Sequence, residues 1–302
     1  MIDLRQLRHF LAVADTLHFG RAAERLGMTQ PPLSQSILTL ERDLGAALFV
    51  RTKRMVLLTD FGGHWLEHVR PAVDGIAALS GIAEQLRTGK AGRLSLAFVS
   101  IADYNVLPML VQRYAAAFPG VELELTEATS DLQVAALIEG RINAGILISA
   151  RSALPEALEY RALVIEPLVA AVPEAWILDG RLAVADGVIQ SEDWTAQPLI
   201  MFPARVSPHF HDLVIGFYRA RGCQPLVQQE AIQMQTIISL VSAGLGMALV
   251  PASMQHLART GVRYVSISGE APLLETGLVW RKTDRSPALA SLIDISSTIS
   301  RL

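Results

Sequence analysis

One cysteine, Cys223, stands among 302 residues. No intrachain disulfide framework can form from it, and such sparing use fits a reducing compartment. Although 51% of the residues are hydrophobic, no run approaches the roughly 18 consecutive apolar residues that a membrane span requires. The opening MIDLRQLRHF lacks a basic flank followed by an uninterrupted apolar stretch, so no secretory signal is expected and a cytoplasmic location is. Signatures of catalysis are missing too. There is no G-x-S-x-G, no phosphate-binding G-x-x-x-x-G-K-[ST], no G-x-G-x-x-G after a strand and no cysteine pair. Gly244-Leu245-Gly246 is only a fragment, better read as a helix stop and turn. These absences argue against an enzyme and against a cofactor. An enzyme or solute-binding protein built on a two-lobed α/β module stays as the alternative.

What is present is unevenly distributed. The length favours two domains over one core. The net charge of −3 divides sharply: residues 1–59 carry eight Lys/Arg against five acids, a net +3, which leaves −6 to the rest. A basic module fused to an acidic one is the charge pattern of a nucleic-acid reader joined to something else.

The basic segment has matching local grammar. Ala22, Ala23 and Leu26 give a short helix a small packing face, and Gly27 supplies its stop. Thr29 is placed to cap the next helix, with Pro31 and Pro32 in the first turn, where backbone N–H groups lack partners anyway. Leu33, Ile37, Leu40 and Leu44 follow at helical spacing as a buried stripe, leaving Gln30, Ser34, Gln35 and Arg42 outward. This is the pattern of a helix-turn-helix whose second helix enters the major groove, where glutamine can pair with adenine. LFVRTKRMVLLT then reads as a two-stranded wing whose Arg51, Lys53 and Arg54 suit the phosphate backbone.

From Trp65 through Val69, Ala72, Ile76, Leu79 and Ala83 to Leu86, apolar residues alternate by four and three over about three heptads. The reader offers such a seam no partner, so a second chain is expected to cover it. Pro71 is a blemish that removes one hydrogen bond. His64, Glu67 and His68 spell an inverted zinc-protease pattern, but with no third ligand in an obvious motif they read as solvated helix residues, and no metal is expected. His209 and His211 are read likewise as capping or surface groups.

Beyond a polar hinge at 87–92 strands and helices alternate, which argues for parallel sheets flanked by helices. Ligands of such sheets sit beyond the strand carboxyl ends, near helix N-termini. Those positions are Ser100, Ile101, Thr129 and Ser130 in one half. In the other they are Phe202, Pro203, Ala204 and Arg205, with Gln233 and Gln235 beginning a later helix.

Residues 1–60 resemble the winged helix-turn-helix of LysR-type transcriptional regulators. The likeness rests on Phe10, Phe19, Ala22, Ala23, Leu26, Gln30, Pro31, Ser34, Ile37, Leu40, Glu41, Leu44, Gly45, Leu48, Phe49, Arg51 and Thr59. The resemblance implies a reader at 1–60, a dimerising linker helix at 61–89 and an effector-binding domain at 90–302. The last has the α/β periplasmic-binding-protein fold, one subdomain at about 90–163 and 268–302 and the other at about 164–267. It further implies double-stranded promoter DNA, a small-molecule effector, RNA polymerase and the chain's own copies, as a homotetramer, for partners. The DNA-contacting set becomes His18, Phe19, Arg21, Thr29, Gln30, Pro31, Ser34, Gln35, Arg51, Lys53 and Arg54. LIMFPARVSPHF, EGRINAG and LVPAS are similar to the branch controlling aromatic catabolism, whose effectors are small ring-cleavage acids. Ile101 replaces that branch's serine or threonine, and Ile148 its arginine. Arg205 is therefore expected to grip the carboxylate of an aromatic-derived, acidic effector other than muconate.

Overall fold

The computed structural model describes residues 2–52, 55–149 and 151–299. The chain separates into two units, Met1–Glu84 and Gln85–Leu302.

In the first unit α1 (Leu4–Thr16) starts at a capping box, in which Asp3 accepts from the first turn and Gln6 reaches back to the Asp3 N–H. After it come α2 (Phe19–Arg25) and α3 (Gln30–Leu44), joined through Gly27 at φ +65°. Leu33, Ile37 and Leu40 are fully buried against Phe10, Val13 and Ala22, as the stripe predicts. β1 (Phe49–Arg51) and β2 (Val56–Leu58) pair antiparallel as the wing. Lys53 and Arg54, expected on its tip, lie outside the described residues.

The helix α4 (Asp60–Arg87) runs through Pro71 without interruption. Its start is held by Thr59, whose Oγ1 accepts from the Gly62 N–H at 2.9 Å and donates to the Ala47 carbonyl at 2.7 Å. Gly62 is required here, since a Cβ would stand 2.2 Å from the Leu48 carbonyl oxygen. The seam expected along α4 is corrected in its first half. Trp65 and Val69 pack with Val73 on the reader's own core, while Ala72 is exposed. Ile76, Leu79, Ile82 and Leu86 are all exposed.

The second unit opens β3 (Ala91–Phe98), α5 (Val106–Ala117), β4 (Gly120–Glu127), α6 (Ser130–Ile138) and β5 (Ala144–Ile148). Then β6 (Leu158–Pro173) runs for 16 residues. It is followed by α7 (Glu174–Leu178), β7 (Val184–Ala185), β8 (Val188–Ile189), α8 (Ser191–Trp194), β9 (Pro198–Met201), α9 (Pro208–Arg219), β10 (Leu226–Glu230) and α10 (Met234–Ser242). The unit closes with β11 (Ala248–Pro251), β12 (Val262–Ile267), β13 (Leu273–Arg281) and α11 (Pro287–Ile299).

The main sheet runs β4-β3-β5-β13-β6-β12-β8-β7, with β11 also on β6; β9 and β10 pair separately. Pairing is parallel among β4, β3 and β5, but β13 is antiparallel to both its neighbours. The parallel pairing expected from the alternation holds for β3, β4 and β5, and β13 departs from it. β6 is the cause: it pairs with β13 as far as Pro167, then with β11 and β12 from Leu168 onward. One continuous strand thus serves both halves of the unit. Among the described residues no helix is long and apolar enough to cross a membrane.

Candidate DNA-reading face and effector cleft

On α3, residues 30–32 and Gln35 are exposed and Ser34 is half-buried, opposite the buried stripe. Thr29 occupies the cap position in extended geometry, yet its side chain makes no capping hydrogen bond, contrary to expectation. Prolines in the first turn make that cap less necessary, because they remove donors that would need it. His18 caps α2, its Nδ1 accepting from the Arg21 N–H at 3.2 Å. Arg21 is exposed and donates to the Thr16 carbonyl.

One expected DNA contact, Phe19, is internal, and another, Arg51, is exposed but partnered within the protein. Phe19 is 7% exposed and packs edge-on to Phe49 in the core, so its ring is not offered to a groove. Arg51 lies over the Phe19 ring at 4.8 Å and donates to Glu41 Oε2 at 2.8 Å. Glu41 Oε1 in turn accepts the N–H groups of Leu48 and Phe49. This carboxylate pairs with Arg51 and ties α3 to the wing.

The reader also grips the first part of α4. Asp15 on α1 accepts from Arg70, and from Arg25 at 3.1 Å. The Arg70 hydrogen bond, ahead of any cost of burial, holds the Asp15 carboxyl below its ordinary range. His64 and His68 on α4 are exposed. Among the described residues no three His, Cys, Asp or Glu side chains converge as a metal site would need.

In the second unit a cavity of about 230 Å³ opens at the carboxyl ends of β3, β4 and β5. Ser100, Ile101, Thr129, Ser130 and Ile148 line it from one side, and Phe202, Val206, Ser207, Ile232 and Gln233 from the other. Thr129, Ser207 and Gln233 are the caps of α6, α9 and α10, and none of the three makes a side-chain capping bond. Three helix starts therefore converge on the cavity without side-chain caps, an arrangement that attracts negative charge. Bonds cross the cleft at two points: the Met234 N–H donates weakly to Ser100 Oγ at 3.4 Å, and Gln233 Nε2 to Glu127 Oε1 at 3.3 Å.

Of the expected effector positions, Pro203, Ala204, Arg205 and Gln235 stand outside this lining. Arg205 is exposed in the turn before α9, where the Pro203 carbonyl accepts the N–H groups of Val206 and Ser207 and directs residue 205 to solvent. Pro203 itself is buried beneath that turn. Gln235 is two residues beyond the Gln233 cap, about 200° around the helix, and half-buried.

Glu127 and Ser207 line the cavity but escaped the sequence reading. Both occupy the kind of position that reading used, Glu127 at the carboxyl end of β4 and Ser207 just before α9. Gln133 also escaped it. Wholly buried within α6, it donates from Nε2 to the carbonyls of Ala128 and Ile146, holding the cavity loop to β5. Gly145 leaves room for it, as a Cβ there would come within 2.5 Å of Gln133 Oε1.

Comparison with known proteins covers nearly the whole chain. Residues 4–63 match the family described as bacterial regulatory helix-turn-helix protein, lysR family, and residues 87–298 match the LysR substrate binding domain. The chain is 59% identical to the HTH-type transcriptional regulator IlvR of Caulobacter vibrioides, over 97% of this chain and 96% of that protein. It is 37% identical to the HTH-type transcriptional regulator AlsR of Bacillus subtilis, over 98% and 96% respectively. The crystal structure of full-length CbnR complexed with its target DNA is similar at a TM-score of 0.81 and 27% identity, covering 99% of this chain and 100% of that one.

Proposed function

Because the chain belongs to the LysR family of transcriptional regulators, we propose that the exposed face of α3 reads operator DNA under control of an effector held in the cavity of the second unit. Gln30, Pro31, Ser34 and Gln35 enter the major groove, while His18, Arg21 and Thr29 serve the backbone beside it. The observation that carries this reading is the proline-opened start of α3, which presents short polar side chains outward over a fully buried stripe. The similar structure in which CbnR sits on its target DNA supports the same use here.

The effector is a small carboxylate with an apolar body. Ser100, Ile101, Thr129, Ser130 and Phe202 contact it, and the uncapped starts of α6, α9 and α10 supply what an arginine would otherwise give. Aromatic-derived acids, expected from the resemblance, are one class of this kind. Two copies pair through the exposed apolar residues of α4, and pairs associate into tetramers that act on cytoplasmic DNA. The effector's preference for one arrangement of the copies sets the strength of the switch.

Footprinting of the purified protein on DNA flanking its own coding region, with and without candidate carboxylates, tests this. Protection of two half-sites a whole number of helical turns apart, altered by one ligand class, is the expected result. Uniform protection, indifferent to sequence and ligand, contradicts it.

A further inference from the structure

We infer that the effector is a small α-amino acid with an apolar side chain, a zwitterion rather than a dicarboxylate; this rests on the cavity being the effector site. Glu127 lines the cavity, and no lysine, arginine or histidine stands among the described lining residues. Among the described residues no cation pairs with its carboxylate; its bond is the one from Gln233 Nε2. Glu127 is exposed at the edge of the cavity, where its charge repels an anion brought in alone and attracts an ammonium group.

A carboxylate has its own place nearby. Glu127 stands two residues before Thr129, the cap of α6, and bonds to Gln233, the cap of α10. The positive ends of two helices therefore abut a negative side chain. That adjacency suits an ammonium and a carboxylate borne on one carbon. Ser207, the cap of α9, is a second and independent sign of a ligand. It is 6% exposed, and its hydroxyl has no hydrogen-bond partner among the described residues. Such a buried hydroxyl is satisfied by a carboxylate or ammonium entering the cavity. Beside the hydroxyls of Ser100, Thr129 and Ser130, the wall includes Ile101, Leu132, Ile148, Phe202, Val206 and Ile232, apolar surface for an aliphatic or aromatic side chain.

Calorimetric titration of the full chain with L-leucine and L-phenylalanine, against 4-methylpentanoate, 3-phenylpropanoate and cis,cis-muconate, tests the inference. Wild type binds an amino acid at least tenfold more tightly than its deaminated counterpart. Glu127→Gln weakens amino-acid binding at least tenfold and leaves the deaminated acids unchanged or tighter. Acids binding as tightly as amino acids, no amino-acid binding, or an indifferent Glu127→Gln overturns it. Leu132→Trp, which fills the cavity from an exposed position, separates this failure from that of the site. Acids that bind wild type and are lost in Leu132→Trp leave the site standing without the zwitterion. Ligands indifferent to Leu132→Trp remove the site as well.

Discussion

Polar residues of the reader take different roles here according to what they pack against. Gln35 projects from α3 over a buried stripe, so it is available to a base edge. Replacing it by alanine should cost about 1–3 kcal/mol at particular operator base pairs and little elsewhere, read from affinities on singly altered duplexes. Arg51 is partnered by Glu41 and lies on Phe19. Arg51→Ala should therefore lower the stability of the reader by roughly 1–2 kcal/mol, seen as a lower melting temperature without DNA. Periodicity could not separate these cases, because Arg51 and Phe19 are joined only once the wing folds back onto α2. Asp15 gives a pH dependence of definite sign. Its folded carboxyl titrates below the ordinary value of 3.8, so its stabilisation is complete above that value and lost as pH falls through the lower one. In Asp15→Asn, acidification below about pH 4 should lower the melting temperature less than in wild type.

Elements were legible where the local pattern decided them. The α3 stripe, the glycine stop at residue 27 and the strand–helix alternation from residue 91 all follow from spacing and turn chemistry. The first half of the long β6, LEYRALVIEP, offers no clean alternation, since Glu159, Arg161 and the buried Glu166 stand among its apolar residues. Its antiparallel pairing with β13 depends on a partner more than a hundred residues away, which no local signal reports. The α4 seam was read as continuous because heptad spacing does not say which neighbour covers each turn. Tertiary packing divides it, with Trp65 and Val69 inward and Ile76 to Leu86 outward. Leu79→Glu should leave the reader folded and shift sedimentation toward smaller species. Gly62→Ala, by contrast, drives a methyl group into the Leu48 carbonyl. It should destabilise the docking of α4 by about 1–3 kcal/mol, measured by chemical denaturation.

At the scale of the molecule, charge is unevenly distributed along the chain. The first 59 residues carry +3 and the rest −6, so attraction to phosphate and recognition of a metabolite occur in different places. Much of the cavity was legible as strand ends and helix starts, because that is where α/β sheets leave N–H groups free. Arg205 misled for a physical reason: a cation beside a predicted cleft was assigned to it, while the turn at Pro203 carries the side chain to solvent. Base sequence is proposed to be read by the outward face of α3. Fluorescence anisotropy on the footprinted duplex and on a scrambled one, for wild type and Gln35→Ala, tests it most directly. Wild type should prefer its site by roughly a thousandfold or more. The variant should lose about tenfold or more of that preference while binding the scrambled duplex unchanged. Full retention of the preference, or an equal loss on both duplexes, would contradict it.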